Sequence, residues 1–321
     1  MTSFGYFLSC EEYTPQELVE QAVAAERAGF EALWISDHYH PWNDAQGESP
    51  FVWSVIGAVA QATDLPVTTA VTCPTMRIHP AVVAQAAATS AVMLDGRFTL
   101  GVGTGEALNE HILGQPWPPT EIRLEMLEEA VELMRRLWTE DGFVTHRGRY
   151  YTVDNARIYT RPEEPPPVFM SGFGPEATDV AARIADGYIT TTPDEELLGR
   201  FREGSGGKPA QAGVKVAYAP TEDEGVHHAH TRWRNAGLPG ELAQVLPSPR
   251  HFEQAAELVT EESTRSSIAA GPDAEAHAAA LQPFVDAGFD TVHVANMGPH
   301  KLSLECIEMF GREVLPSLRS S

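Results

Sequence analysis

Asp37 and His38 stand side by side in the run Ser36-Asp37-His38-Tyr39-His40-Pro41-Trp42. A histidine there can take a proton near neutral pH, and the neighbouring carboxylate could orient or charge it. A second run, Gly101-Val102-Gly103-Thr104-Gly105-Glu106, is followed by Asn109. It lacks the spacing of a dinucleotide fingerprint, but its glycines let a planar ligand lie against the backbone and present Glu106 and Asn109 beside it. A third, Ser171-Gly172-Phe173-Gly174-Pro175, reads as a helix start whose backbone amides form an anion site without Lys or Arg. Other candidates carry less chemistry. His38, His40 and Asp37 as a metal site lack further ligands, and His227, His228 and His230, beside Glu222 and Glu224, read as a solvated helix face. Cys73 has no activating base near it in sequence, so it reads as a structural thiol, and no metal is expected.

These runs need elements that bring them together. Phe4–Leu8 reads as a buried strand, and Thr14-Pro15-Gln16-Glu17 as a capped helix start that Gly29 terminates. Further strands are expected at 30–35, 66–71, 98–102, 168–171, 188–190, 214–218 and 291–295. Helices are expected at 51–62, 80–93, 121–138, 176–185, near 194–201 and from about 303 to 315. Eight strands alternating with helices predict a closed (β/α)8 barrel, a single domain over residues 1–321. Two insertions are expected: 142–167 after the fourth strand, with a hairpin of 143–146 against 150–153, and 221–271 after the seventh. In such a barrel the catalytic groups lie where strands run out into loops, and all three runs sit at such exits.

The chain has 321 residues, 22 Lys+Arg against 45 Asp+Glu, and a formal net charge of −23. That balance opposes binding to nucleic acid or to an anionic membrane. No stretch approaches the length of apolar residues needed to span a membrane, and the three scattered cysteines suit a reducing compartment, so a cytoplasmic protein is expected.

The run from Ser36 to Trp42, then Thr72-Cys73-Pro74-Thr75, then Gly101–Glu110 together resemble the deazaflavin-dependent glucose-6-phosphate dehydrogenases of the bacterial-luciferase-like superfamily. The resemblance runs from Phe4 to the last helix and implies a (β/α)8 barrel that binds coenzyme F-420, with FMN as the alternative cofactor. It implies that His38 is the base for the substrate hydroxyl, that Trp42 packs against cofactor and substrate, and that Glu106 protonates the ring as hydride reaches C5. It implies cofactor contacts at Asp37, Gly105 and Asn109, a non-prolyl cis peptide at Ala70-Val71 under the ring, and a phosphate cradle at Ser171, Gly172, Phe173 and Gly174. The substrate wall falls on Glu11, Thr191, Asp194 and Trp233. A homodimer is the family's usual assembly.

The departures bear on substrate. Where the family's phosphate-binding lysine would stand there is Asp194; a second cation position falls at Thr264 with Arg265 adjacent, and a third near Leu304–Glu305. A carboxylate in a phosphate site adds repulsion, so an unphosphorylated sugar, an aminosugar or a simple secondary alcohol is expected to be the small polar substrate. Dehydrogenase, carbonyl reductase and redox-neutral epimerase all use this equipment; an FMN-dependent monooxygenase and a non-enzymatic flavin-binding relative are the rivals.

Overall fold

The computed structural model describes residues 2–319. The chain starts with β1 (Ser3–Leu8), α1 (Pro15–Ala28), β2 (Ala32–Ile35), α2 (Val52–Val59), β3 (Val67–Thr69), α3 (Pro80–Met93) and β4 (Phe98–Val102). Thr14 caps α1 through a reciprocal bond pair with Glu17, and Gly29 ends it in the left-handed conformation. After β4 come the short α4 (Ala107–Glu110), the long α5 (Thr120–Thr139) and a hairpin of β5 (Val144–Arg147) and β6 (Thr152–Ala156). The barrel resumes with β7 (Val168–Ser171), α6 (Pro175–Ile184), β8 (Gly187–Thr190), α7 (Glu195–Ser205) and β9 (Ala210–Val216). Four helices intervene, α8 (Glu222–Trp233), α9 (Leu242–Val245), α10 (Pro249–Ala255) and α11 (Glu261–Ser267). Helix α12 (Ala274–Ala287), β10 (Thr291–Asn296), α13 (His300–Met309) and α14 (Leu315–Arg319) finish the chain.

Eight strands close into a parallel barrel in the order β1-β10-β9-β8-β7-β4-β3-β2. The alternation of strand and helix forces this: each parallel neighbour needs a crossover, and the crossover helices bury their apolar stripes on the outside of the barrel. Inside, Phe7, Trp34, Phe169, Ile189 and Ala295 form a separate apolar layer. The Trp34 ring is held by a bond from its Nε1 to Gln211 Oε1 (2.6 Å) and by stacking on His293 at 4.4 Å. The barrel therefore has a packed floor, and the strand-end site opens at the mouth above it.

Three elements differ from expectation. The second hairpin strand begins at Thr152, not Tyr150, because the backbone amides of Tyr150 and Tyr151 are taken by the Glu129 carboxylate on α5 (3.0 and 2.9 Å). The seventh barrel strand begins at Ala210, four residues before Val214; Ala210 and Ala212 carry too little side chain to announce a strand but pair with β8 and β10. Helix α12 occupies a stretch given no element by sequence; Pro283 lies inside it, and burial of Leu281 and Phe284 holds the helix together across that proline.

Gly101 marks the tightest approach in the barrel wall: a Cβ there would stand 1.8 Å from the Thr69 carbonyl oxygen and 2.7 Å from Ile189 Cδ1. The Thr69 backbone cannot yield, because Thr69 Oγ1 is itself bonded to both the amide and the carbonyl of Gly101 (2.9 Å each). Gly101→Ala is expected to destabilise the fold by about 3 kcal/mol, the upper range for overpacking. A urea midpoint indistinguishable from wild type would contradict this packing.

Candidate active site

Three loops at the mouth are tied to one another by a buried guanidinium. Arg77, in the loop after β3, donates to Asp37 Oδ1 after β2 at 2.8 Å and faces Glu110 Oε1 of α4 at 3.6 Å, while its backbone amide donates to Glu110 Oε2 at 2.7 Å. Thr72 donates to the other Asp37 oxygen at 2.8 Å. Asp37 and Glu110 side chains are fully buried. Burial pushes the Glu110 carboxyl up to about 7, against the pull of Arg77.

His38 stands above this layer. Its Nε2 lies 3.3 Å from Glu11 Oε1, and its ring packs on Trp42 at 4.9 Å. Its Nδ1 faces two groups of opposite character, the His40 carbonyl (3.2 Å) and Asn109 Nδ2 (3.1 Å). The amide of Asn109 is oriented by the backbone amides of Tyr39 and His40, which donate to its Oδ1, and its Nδ2 also reaches Glu106 Oε2 at 3.4 Å. One asparagine thus links the histidine to the acid. Glu11 is buried; burial raises its pKa, but His38 and the Ser36 hydroxyl (2.6 Å) outweigh that and leave it below the ordinary carboxylate range.

On the ligand-bed side, the Ala70–Val71 peptide is cis, and both residues pack half-buried against the apolar layer of the barrel. Gly103 lies over Val71, where a Cβ would come within 2.7 Å, so the bed is formed by backbone and small groups. Gly105 has φ +86° and its carbonyl accepts from Arg123 at 3.3 Å. Ser171 ends β7, Gly174 caps α6 in extended conformation, and Phe173 is exposed. A flat ring with an anionic tail fits this donor set: a smooth bed, an acid and amide at its edge, and the first-turn amides of α6, which have no acceptor within the helix.

Several expected contacts are corrected. Asp37 makes no hydrogen bond or ion pair with His38; its two oxygens accept from Thr72 and Arg77, so it holds the loops together. The Gly172 amide donates to the Ile189 carbonyl at 3.2 Å and is closed to a phosphate. Glu11 is engaged by Ser9, Ser36 and His38. Asp194 is exposed and caps α7, accepting from the Leu197 amide at 2.9 Å; it is a helix cap, and the charge argument built on it falls. Arg265 is held by Glu222 and Asp223 at 2.5 and 2.6 Å, outside the site. His227, His228 and His230 turn to Glu261, Glu224 and Thr264 separately, and among the described residues no cluster is placed to hold a metal. Cys73 is buried and burial drives its thiol up.

A cavity of about 650 Å³ opens between the ends of β8 and β9 and the helices that follow β9. Thr191, Thr264 and Trp233 line it, with Lys215 and Arg234. The inserted helices reach back over the mouth: Phe252 of α10 packs on Trp42 at 5.1 Å, and Gln244 of α9 accepts from Arg123 at 3.0 Å. Arg77, Glu110, Glu12, Arg123, Lys215 and Arg234 were not singled out by sequence. For Lys215 a signal existed: Gln211, Gly213 and Lys215 alternate with Ala210, Ala212, Val214 and Val216, the period-two mark of an inward face.

With this geometry in place, the chain matches a family model described as luciferase-like monooxygenase over residues 2–291. It is 36% identical to an F-420-dependent glucose-6-phosphate dehydrogenase of Microbacterium testaceum, covering 98% of this chain and 97% of the relative. A namesake from Segniliparus rotundus is also 36% identical, with 98% of each chain covered. Among solved structures, an F-420-dependent secondary alcohol dehydrogenase in complex with an F-420–acetone adduct superposes with a TM-score of 0.90 at 32% identity, over 99% of both chains.

The buried Glu110 gives a pH test with a definite sign. Its folded pKa of about 7 lies above the ordinary 4.5, so the native state binds the proton more tightly than the unfolded chain. Its stabilising contribution is complete below 4.5 and is lost as pH rises through about 7. Wild-type stability should therefore fall relative to Glu110→Gln across that window, whatever constant offset the substitution brings. Parallel stability–pH curves for the two proteins would contradict the buried, proton-holding carboxyl.

Proposed function

The chain belongs to the luciferase-like monooxygenase family, in its F-420-dependent glucose-6-phosphate dehydrogenase-like group, and from that premise we propose how its mouth performs the reaction. The protein is an F-420-dependent oxidoreductase acting on a hydroxyl-bearing substrate. The deazaflavin, when bound, supplies the hydride acceptor and donor; the residues of the chain bind, orient and move protons. Ala70, Val71 and Gly103 would form the bed for its ring, Gly105, Glu106 and Asn109 would hold the ring edge, and the α6 start after Ser171, at Phe173 and Gly174, would take its anionic tail.

His38 accepts the hydroxyl proton at Nε2. The tautomer with Nδ1–H on the His40 carbonyl leaves that nitrogen free, and Glu11 at 3.3 Å stabilises the charged ring that results. Trp42 fixes the ring from its face. Glu106 holds the second proton at its carboxyl. The observation that most supports this reading is the setting of His38, with Nδ1 on the His40 carbonyl (3.2 Å) and Nε2 3.3 Å from the buried Glu11 carboxylate, at a strand exit beside Asn109 and Glu106. The substrate lies toward Thr191 and Trp233. With Asp194 removed from the argument and two cations in the cavity wall, an amine-bearing substrate is the least suited. The chain acts as a cytoplasmic homodimer: the exposed apolar residues Val82, Val92 and Met93 of α3, with Phe51 before α2, support a subunit contact, and three unpaired buried cysteines support a reducing compartment.

His38→Ala is expected to lower turnover roughly 10²–10⁴-fold, the range of a general base, with the dissociation constant for F-420, read by fluorescence quenching, little changed. Retention of most activity would remove His38 from the role. The same titration with FMN tests the cofactor: equal or tighter binding of FMN overturns the ring assignment.

A further inference from the structure

Two cations inside the mouth are used by nothing described so far. Lys215 is the last inward-facing residue of β9, above Gln211, which holds Trp34, and Gly213, where a Cβ would strike the Trp34 ring at 2.5 Å. Its side chain therefore emerges at the level of the site. Its ammonium lies 3.6 Å from the Trp233 ring centroid and lines the cavity, yet among the described residues no acceptor is within hydrogen-bond or ion-pair distance. Glu11 and Glu12 act on it only from farther away, and each has a nearer partner, His38 at 3.3 Å and Arg232 at 3.6 Å. Arg234 lines the same cavity with its Nε buried and without an acceptor, and makes no ion pair among the described residues. Thr191, Thr192 and Thr264 add hydroxyls to the wall.

A buried or half-buried donor with no acceptor is costly, and one that opens into a cavity is satisfied by whatever occupies it. A wall with two such cations calls for a ligand rich in acceptor oxygens, and it would gain nothing from a ligand whose one oxygen is already at His38. We propose that Lys215, with Arg234 beside it, is a specificity-determining second binding point, and that the substrate is a polyoxygenated secondary alcohol carrying at least one acceptor oxygen beyond the carbinol. This rests on the dehydrogenase reading above, and narrows it away from simple secondary alcohols. The Trp233 ring, held under the ammonium, keeps it aimed at the cavity while shielding it from bulk water. Discrimination follows because a site built to bond an oxygen rejects the analogue that lacks it.

The test compares propan-2-ol with glycerol and D-glucose as substrates, read by loss of oxidised F-420 absorbance, in wild type, Lys215→Met and Lys215→Arg. Wild type is expected to prefer the polyols. Lys215→Met should cost the polyols roughly 10–100-fold more in kcat/KM than it costs propan-2-ol, the span of a hydrogen bond to a charged group. Lys215→Arg should recover part of that difference. Burial lowers the pKa of Lys215, so the ammonium is lost on raising pH. Wild-type KM for polyols should then climb at alkaline pH, and that climb should be absent in Lys215→Arg, where the cation persists. If Lys215→Met does not fold, the pH profiles of wild type and Lys215→Arg decide the matter. Propan-2-ol equal to the polyols in wild type, equal losses for both substrate types, or identical pH profiles would each overturn the proposal. Failure of every alcohol to reduce F-420, with F-420 still bound, would instead overturn the dehydrogenase reading, and this inference with it.

Discussion

The mouth of this barrel hangs on one buried guanidinium. Arg77 is held between Asp37 and Glu110, and those three residues belong to the exits of β2, β3 and β4. Without it two carboxyl groups would be buried with no counter-charge, a situation that typically costs 3–5 kcal/mol when one partner of a buried pair is removed. The charge is therefore structural first. It also has a consequence for chemistry, since the loops it ties carry His38, the Ala70–Val71 cis peptide and Glu106. A catalytic constellation drawn from three separate loops keeps sub-ångström geometry only if the loops cannot move independently. The Arg77 cluster provides that, and Thr72 and the Arg77 amide add hydrogen bonds that leave the ions little freedom to rearrange.

The overall charge of the molecule and the charges that line its mouth are separate matters. The net charge is −23, but the mouth holds charges of both signs, with Lys215 and Arg234 in the cavity wall and Arg77 between Asp37 and Glu110. Surface charges are screened within about 8–10 Å at ordinary salt, whereas charges at the mouth of a half-enclosed cavity act through less water. The acidic exterior thus says little about the charge of a ligand that fits the interior. Reasoning from overall composition to substrate charge conflates two fields that the fold keeps apart.

What the sequence disclosed follows from the same physics. The barrel was legible because every strand–helix alternation left an apolar signature, and the Thr14 cap and Gly29 stop were local enough to be read in a few residues. His38, Glu106 and Asn109 were legible as strand-exit residues, and the structure brings them within hydrogen-bonding reach of one another. The partners of these residues were not. Glu11, 27 positions before His38, meets it only because β1 and β2 are neighbours in the barrel, and Arg77 meets Asp37 across 40 positions. Asp194 misled for a related reason. Read as a position in a loop it faces the substrate; read as the residue before Glu195-Glu196-Leu197 it is a helix cap that accepts from the Leu197 amide, and it stands exposed and does not line the cavity. A local hydrogen bond outranked the long-range role.

The environment of His38 also bears on the direction of reaction. Its Nδ1 carries its proton toward the His40 carbonyl (3.2 Å) in the neutral base and in the charged ring alike, so that hydrogen bond is kept when Nε2 gains or loses a proton. Its Nε2 faces a carboxylate that the Ser9 and Ser36 hydroxyls keep fixed. A base that works in both directions gains from contacts that do not change with its protonation, and the Nδ1 contact to the His40 carbonyl is one of these. The ring can take a proton from a hydroxyl and return it to a carbonyl oxygen with little reorganisation, which is the condition for low barriers both ways. The protein thus sets the alignment and the proton path, and leaves the direction of turnover to the redox state of the cofactor and the supply of substrate.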